Sequence, residues 1–274
     1  MLFVKFEEYL HYEKKFSSNT ISAYLRDLQS FQFFLNQRGD KISRETNYSF
    51  IRQWIVHLSE NKYSKVSINR KIASLKSYFN FLVNIGELNS SPLKAHKNLK
   101  SSSKIVIPFS ETEIEKVFEG FQFIDGNDRD KLIIELFYST GIRRDELLNI
   151  KIINIDFDNH LIKILGKRNK ERIIPMLPKL SKSILNYVSK YSPVEYLFES
   201  KKSKQLSSST IYRVINKYFR AVSSKVKVSP HVLRHTFATH MLNNGADINT
   251  IKEILGHSSL SSTQIYTKIK LPKI

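Results

Sequence analysis

The sequence predicts a mainly α-helical protein with a small antiparallel β-sheet, divided into a helical N-terminal domain and a larger mixed α/β domain. Three observations predict it. Up to about residue 90, apolar residues recur every three or four positions. Between residues 160 and 176 that period gives way to two short strand-like runs around a basic turn led by glycine. Between these regions, residues 91–108 hold several lysines and a serine run without any apolar period, the composition of a linker.

Residues 1–90 are predicted as a helical bundle. A short first helix carries Phe3, Phe6 and Leu10. Asn19 and Thr20 are placed to cap a second helix bearing Ile21, Tyr24, Leu25, Leu28, Phe31 and Leu35, with Gly39 as its stop. Phe50, Ile51, Trp54, Ile55 and Leu58 repeat the pattern, and so do Ile72, Leu75, Phe79 and Leu82 ahead of Gly86. The second domain spans 109–274. Ser110 and Glu113 form a capping-box pattern, and helices are predicted near 110–120, 127–139 and 143–150. His160–Leu165 and Glu171–Met176 then read as a β-hairpin. Helices return near 178–190, 209–223, 230–243, 247–255 and 261–268. Ser229 and Pro230 supply a cap and a first-turn proline, and Gly245 and Gly256 are stops.

Composition bounds the function. The 274 residues carry 44 Lys+Arg against 25 Asp+Glu, a net charge of +19. Residues 1–100 contribute +8 and the remainder +11, so both domains are basic, as expected if both touch one polyanion. For single side chains such as Arg52, Lys65, Arg70, Lys71 and Lys76, a solvated bundle surface is the simpler account, and only the summed sign argues for nucleic acid. With 41% hydrophobic residues the chain is too apolar for a disordered basic tail. No cysteine is present, which excludes disulfides, zinc–thiolate sites, iron–sulfur clusters and a cysteine nucleophile. No run approaches the roughly 20 apolar residues of a membrane span, and Glu7 and Glu8 stand where a signal peptide would stay apolar. The expectation is a cytoplasmic, nucleoid-associated protein with no membrane partner.

Neither a P-loop nor a dinucleotide-binding glycine pattern occurs. His231 and His235 stand at metal spacing, but Val232 occupies the position where a zincin needs glutamate, so neither a metal nor a cofactor is expected. What remains is a set of cations, imidazoles and a tyrosine in four segments: Thr140–Leu147, Gly166–Arg172, Ser229–His240 and Leu255–Thr267. In content, order and spacing these resemble the motifs of the tyrosine recombinase (phage integrase) family, and within it the compact Xer-type site-specific recombinases. The resemblance covers the whole second domain, and the N-terminal bundle is similar to the family's SAM-like core-binding domain.

Metal-free cleavage of a phosphodiester requires an oxygen nucleophile, an acid for the leaving group and fixed positive charge for the phosphorane. The resemblance implies these roles for catalytic residues. Arg143 and Arg234 would clamp the phosphate, since a guanidinium forks onto two oxygens as an ammonium cannot. Arg144 competes with Arg143, and an ion pair with Glu146 is the plain alternative for Arg143. Lys167 would protonate the departing 5′ oxygen, with Arg168 and Lys170 as neighbours able to replace it. His231, one helical turn from Arg234, would help the tyrosine lose its proton, and His257 would hydrogen-bond a phosphoryl oxygen. His235 and His240 are expected to pack or cap locally. Tyr266, one of 13 tyrosines, would be the nucleophile.

The implied reaction makes a 3′-phosphotyrosyl link and a free 5′-hydroxyl, then passes the strand to a partner duplex through a Holliday junction, without ATP. The partners implied are double-stranded DNA and a homo- or hetero-tetramer on two synapsed sites, with room for an accessory protein that activates cleavage. Two rival readings stand beside this one. Residues 230–260, with Gly245 at the turn, can be read as the helix-turn-helix of a non-catalytic DNA-binding protein, which has no use for Tyr266. A type IB topoisomerase shares the chemistry, but the Thr140–Arg143 context and the helical N-terminal domain favour recombination.

Overall fold

The computed structural model describes residues 2–43, 45–101, 106–123, 126–166, 171–200, 204–225 and 227–256. They form two compact units, residues 1–104 and 105–274.

In the first unit, α1 (Leu2–Glu8) runs on into a π-helical turn, Tyr9–Glu13, and is followed by α2 (Ser18–Asn36), α3 (Tyr48–Glu60) and α4 (Lys65–Asn84). The apolar spacing places Leu28, Phe31, Trp54, Leu75 and Phe79 in one core, each almost fully buried. The ring of Phe31 meets Trp54 at 5.0 Å, and Phe6 meets Tyr78 edge-on at 5.2 Å. The cap of α2 is Ser17, two residues before the predicted pair; its side chain accepts from the Thr20 backbone N–H. Gly39 and Gly86 take left-handed φ values of 76° and 75° just past α2 and α4.

One carboxylate is buried in this bundle. Asp27 on α2 accepts two hydrogen bonds from the Arg70 fork, at 2.6 and 2.8 Å, one from Lys71 at 3.2 Å and one from Ser74 at 2.8 Å. Arg70 and Lys71, predicted as part of a solvated basic surface, are therefore tied to an internal anion. The stretch after α4 also carries more structure than its composition suggests. Leu93 is fully buried in this core, and the side chain of Asn69 pairs with both backbone groups of Leu99 at 2.9 Å.

The second unit begins at a capping box, Ser110 with Glu113, that opens α5 (Glu111–Gly120). Then follow α6 (Asp128–Thr140), α7 (Arg144–Leu148), a three-stranded antiparallel sheet of β1 (Ile155–Asp156), β2 (Leu161–Leu165) and β3 (Glu171–Pro175), α8 (Pro178–Tyr191), α9 (Ser208–Val222), α10 (Pro230–Asn243) and α11 (Ile248–Leu255). The hairpin pairs Ile162 with Ile174 and Ile164 with Arg172. Ile162, Ile164 and Ile174 face the core, while Lys163 and Ile173 face out, the two-residue alternation of a half-buried sheet. The predicted helix over 261–268 and the turn residues 167–170 lie outside the described residues. Among the described residues, no helix is long and apolar enough to cross a membrane.

α6 and α10 pack against each other. Every residue from Val232 to His240 is buried, polar ones included, so each polar group there needs an internal partner. Thr236 accepts from the Phe109 N–H at 2.9 Å and donates to the Val232 carbonyl. The His240 ring bridges the Phe109 carbonyl at 2.9 Å and the Tyr138 hydroxyl at 3.1 Å. The sequence predicts a local packing or capping role for His240. The ring instead fastens residues more than 100 positions away, because a buried imidazole takes whichever partners the packing brings. Ser229 precedes α10 but its side chain makes no capping hydrogen bond; Pro230 at the first position sets the entry instead.

Candidate active site

The Thr140–Gly141 turn ends α6 and starts the site. Gly141 has φ 58°, and a Cβ there would lie 2.3 Å from Phe237 Cδ1 and 2.7 Å from Leu255 Cδ2. Only glycine fits, on both conformational and steric grounds. The turn delivers Arg143 to the cap position of α7, where its backbone N–H donates to Glu146 Oε2 at 2.9 Å and its Nη1 to Glu146 Oε1 at 2.7 Å. The ion pair weighed as an alternative for Arg143 is thus present, and it orients the guanidinium. Arg144 points elsewhere, to Asp145.

Glu146 is 5% exposed and also receives the fork of Arg172 from β3, with Nη1 and Nη2 each at 2.8 Å. Burial alone would raise its carboxyl, but the hydrogen bonds from Arg172 and Arg143 outweigh that and hold it at about 2. The carboxylate is ionised throughout the neutral range.

Arg234 on α10 is 6% exposed and donates to the Gly141 carbonyl at 2.5 Å and the Leu255 carbonyl at 2.6 Å. The end of α11 now shows a pattern. Three consecutive carbonyls, Ile254, Leu255 and Gly256, each accept from a different arginine: Arg172 at 3.0 Å, Arg234 at 2.6 Å and Arg143 at 2.9 Å. A helix C-terminus leaves such carbonyls unpaired and partly negative, so it attracts cations. Three guanidiniums and one carboxylate leave the cluster with excess positive charge, suited to an anion.

His231 lies one turn before Arg234 on α10 and is exposed. Partial desolvation, then repulsion from Arg234, Arg144 and Lys227, keeps its imidazole below the ordinary value of 6.5. The ring is neutral at pH 7 and can accept a proton. The described structure thus brings Arg143 and Arg234 to one helix end and sets His231 beside Arg234. Lys167, His257 and Tyr266 lie outside the described residues. The sequence motifs point neither to a role for Arg172 nor to the double use of Glu146. The available signal was position: Arg172 shares the inward face of β3 with Ile174, and an inward-facing arginine needs a buried acceptor.

A model of the phage integrase family matches residues 108–271, and a model of the phage integrase N-terminal SAM-like domain matches residues 3–86. The chain belongs to the phage integrase family. Relatives extend over nearly its full length. Tyrosine recombinase XerC of Pediococcus pentosaceus is 35% identical across 98% of this chain and 93% of its own. A tyrosine recombinase of Pseudothermotoga lettingae is 34% identical across 96% and 92%. Among solved structures, XerA recombinase is 30% identical with a TM-score of 0.55, covering 98% of this chain and 93% of its own. A Tn1549 transposon integrase in complex with a circular intermediate DNA superposes with a TM-score of 0.76 at 18% identity, covering 97% and 94%, and shares the fold. The family and these relatives make the chain a tyrosine-type site-specific recombinase, and the helical N-terminal unit with the mixed α/β second unit is the family's architecture.

Proposed function

We propose that this recombinase cuts and rejoins double-stranded DNA with Tyr266 as nucleophile and Arg143, Lys167, His231, Arg234 and His257 as its catalytic residues. The observation that carries the proposal is the convergence of Arg143 and Arg234 on the carbonyls of Leu255 and Gly256, which His257 follows in sequence.

The Tyr266 hydroxyl attacks a DNA phosphate and passes its proton to the neutral His231. Arg143 and Arg234, joined by His257, hold the phosphoryl oxygens and stabilise the charge that grows on the phosphorane. Lys167 gives a proton to the departing 5′ oxygen, leaving a 3′-phosphotyrosyl bond and a 5′-hydroxyl. The 5′-hydroxyl of a second strand then attacks that bond and releases Tyr266. One phosphoester is exchanged for another in each step, so no ATP is consumed. Strand exchange in pairs, through a Holliday junction, fits a homo- or hetero-tetramer on two sites, with an accessory protein where cleavage needs activation. The core-binding unit over 1–90 and the catalytic unit over 109–274, joined through 91–108, would grip the duplex together. Most of the +19 charge serves sequence-independent contact with phosphate, in the cytoplasm and on the nucleoid.

The test uses nicked duplexes of randomised sequence, from which covalently trapped DNA is amplified until a substrate emerges. The wild type then yields an adduct that survives a denaturing gel, and Tyr266→Phe binds the same duplex without forming one. An adduct that persists in Tyr266→Phe overturns the assignment.

A further inference from the structure

We infer that Arg172 is a positioning residue for recombination: through Glu146 it sets the place of Arg143, and through Ile254 it holds the end of α11. The inference rests on the function proposed above.

Arg172 stands on the inward face of β3, and its side chain is 14% exposed. Nη1 and Nη2 take one carboxylate oxygen of Glu146 each, and Nε takes the Ile254 carbonyl at 3.0 Å. All three of its nitrogens donate to protein acceptors on two other segments, the geometry of a residue that holds its neighbours in place. Both Glu146 oxygens are shared. Oε1 accepts from Arg143 Nη1 and Arg172 Nη1, and Oε2 from the Arg143 N–H and Arg172 Nη2. The carboxylate is thus a fixed bridge between a strand and the cap of α7. The stem of Arg172 also fills the space at Gly256. A Cβ there would lie 3.1 Å from Arg172 Cδ, and φ at Gly256 is 60°. β3, α7 and the last turn of α11 converge on this one side chain.

A lysine keeps the charge but cannot make the fork and the third bond together. Without Arg172, Glu146 is held by Arg143 alone and can swing with it, and α11 loses one of three ties. A displacement of that kind, near 1 Å, costs about 100-fold in rate.

The experiment compares wild type with Arg172→Met, Arg172→Lys, Glu146→Gln and the Arg172→Met/Glu146→Gln pair, on the nicked duplex recovered by trapping. Single-turnover cleavage in Arg172→Met should fall about 100-fold while binding of the duplex is unchanged. Arg172→Lys should show the same split, and it carries the test if Arg172→Met does not fold. In the Glu146→Gln background, adding Arg172→Met should cost little more, because the two residues act as one unit. Multiplicative losses, a wild-type rate in Arg172→Lys, or binding and cleavage falling together would overturn the inference. Hydrogen exchange on the free variant supplies an independent readout. Faster exchange in peptides covering 143–148 and 251–256, with 132–137 still protected, supports it; a change confined to 171–175 overturns it. If the wild type traps no DNA at all, the recombinase mechanism fails, and the exchange data still decide what Arg172 holds.

Discussion

Each unit buries a carboxylate shared between two cations, Asp27 in the first and Glu146 in the second, and the two are used differently. Asp27 joins two helices, α2 and α4, and its partners Arg70, Lys71 and Ser74 all come from one stretch of α4. Glu146 joins segments distant in sequence, and its two arginines reach onward to the carbonyls of α11. The first is a brace, satisfied within the bundle. The second is a node whose partners carry charge to a place where more positive charge remains than the carboxylate cancels. A buried salt bridge therefore indicates function only when its partners have somewhere else to point, since as a source of stability it is weak evidence.

The comparison can be broken by substitution. The largest effect is expected at the phosphate clamp: Arg143→Ala or Arg234→Ala should lower single-turnover cleavage at least about 1000-fold, with binding largely kept. Asp27→Asn should act on stability instead. Removing the anion leaves Lys71 buried without its partner, at about 3 kcal/mol, and a chemical denaturation curve would show it. Cleavage per folded molecule should stay at the wild-type level. If Asp27→Asn lowered that rate as strongly as Glu146→Gln, the distinction between brace and node would fall.

Acid should separate the units more gently. In the second unit burial holds His235 and His240 below the ordinary 6.5, and partial desolvation with repulsion from Arg234, Arg144 and Lys227 does the same for exposed His231. The unfolded chain then binds protons first, so stability rises with pH in this range. It should decline as pH falls below 6.5 and level off once the depressed values are passed. In the first unit only His96, among the described residues, is lowered in this way. Hydrogen exchange from pH 7.5 to 5.5 should therefore show a greater loss of protection in α10 than in α4. Glu146 adds stability that is lost only as pH falls from 4.5 through about 2. The smallest effect is expected at Arg144, whose guanidinium pairs with exposed Asp145. Arg144→Ala should change stability by less than about 0.5 kcal/mol. The acid limb of cleavage should move up toward 6.5, because one cation repelling protonated His231 is gone.

The fold was legible in the sequence wherever an amphipathic helix had to hide one face. The stripes of Leu28 and Phe31, or Leu75 and Phe79, leave no other face to bury. Less legible were features decided by geometry among near-equal candidates. Ser17 won the α2 cap over Asn19 and Thr20, and Ser229 precedes α10 without capping it. β1 is two residues long and exists through pairing with Leu161 and Ile162, so it has no period to read. At the site, Arg143, His231 and Arg234 stand in recognisable motifs. Arg172 does not announce its role, because its partners lie 26 and 82 residues away. Glu146 was visible only as a neighbour of Arg143, and its second arginine required the folded sheet.

The most direct test of the account is the chemical identity of the covalent link. Trapped protein–DNA adduct from the wild type would be digested with protease and nuclease, and the modified peptide sequenced by mass spectrometry. The account predicts a single modified residue, Tyr266, carrying a nucleotide through its 3′-phosphate. A nucleotide on any other residue, or a link through a 5′-phosphate, would contradict it.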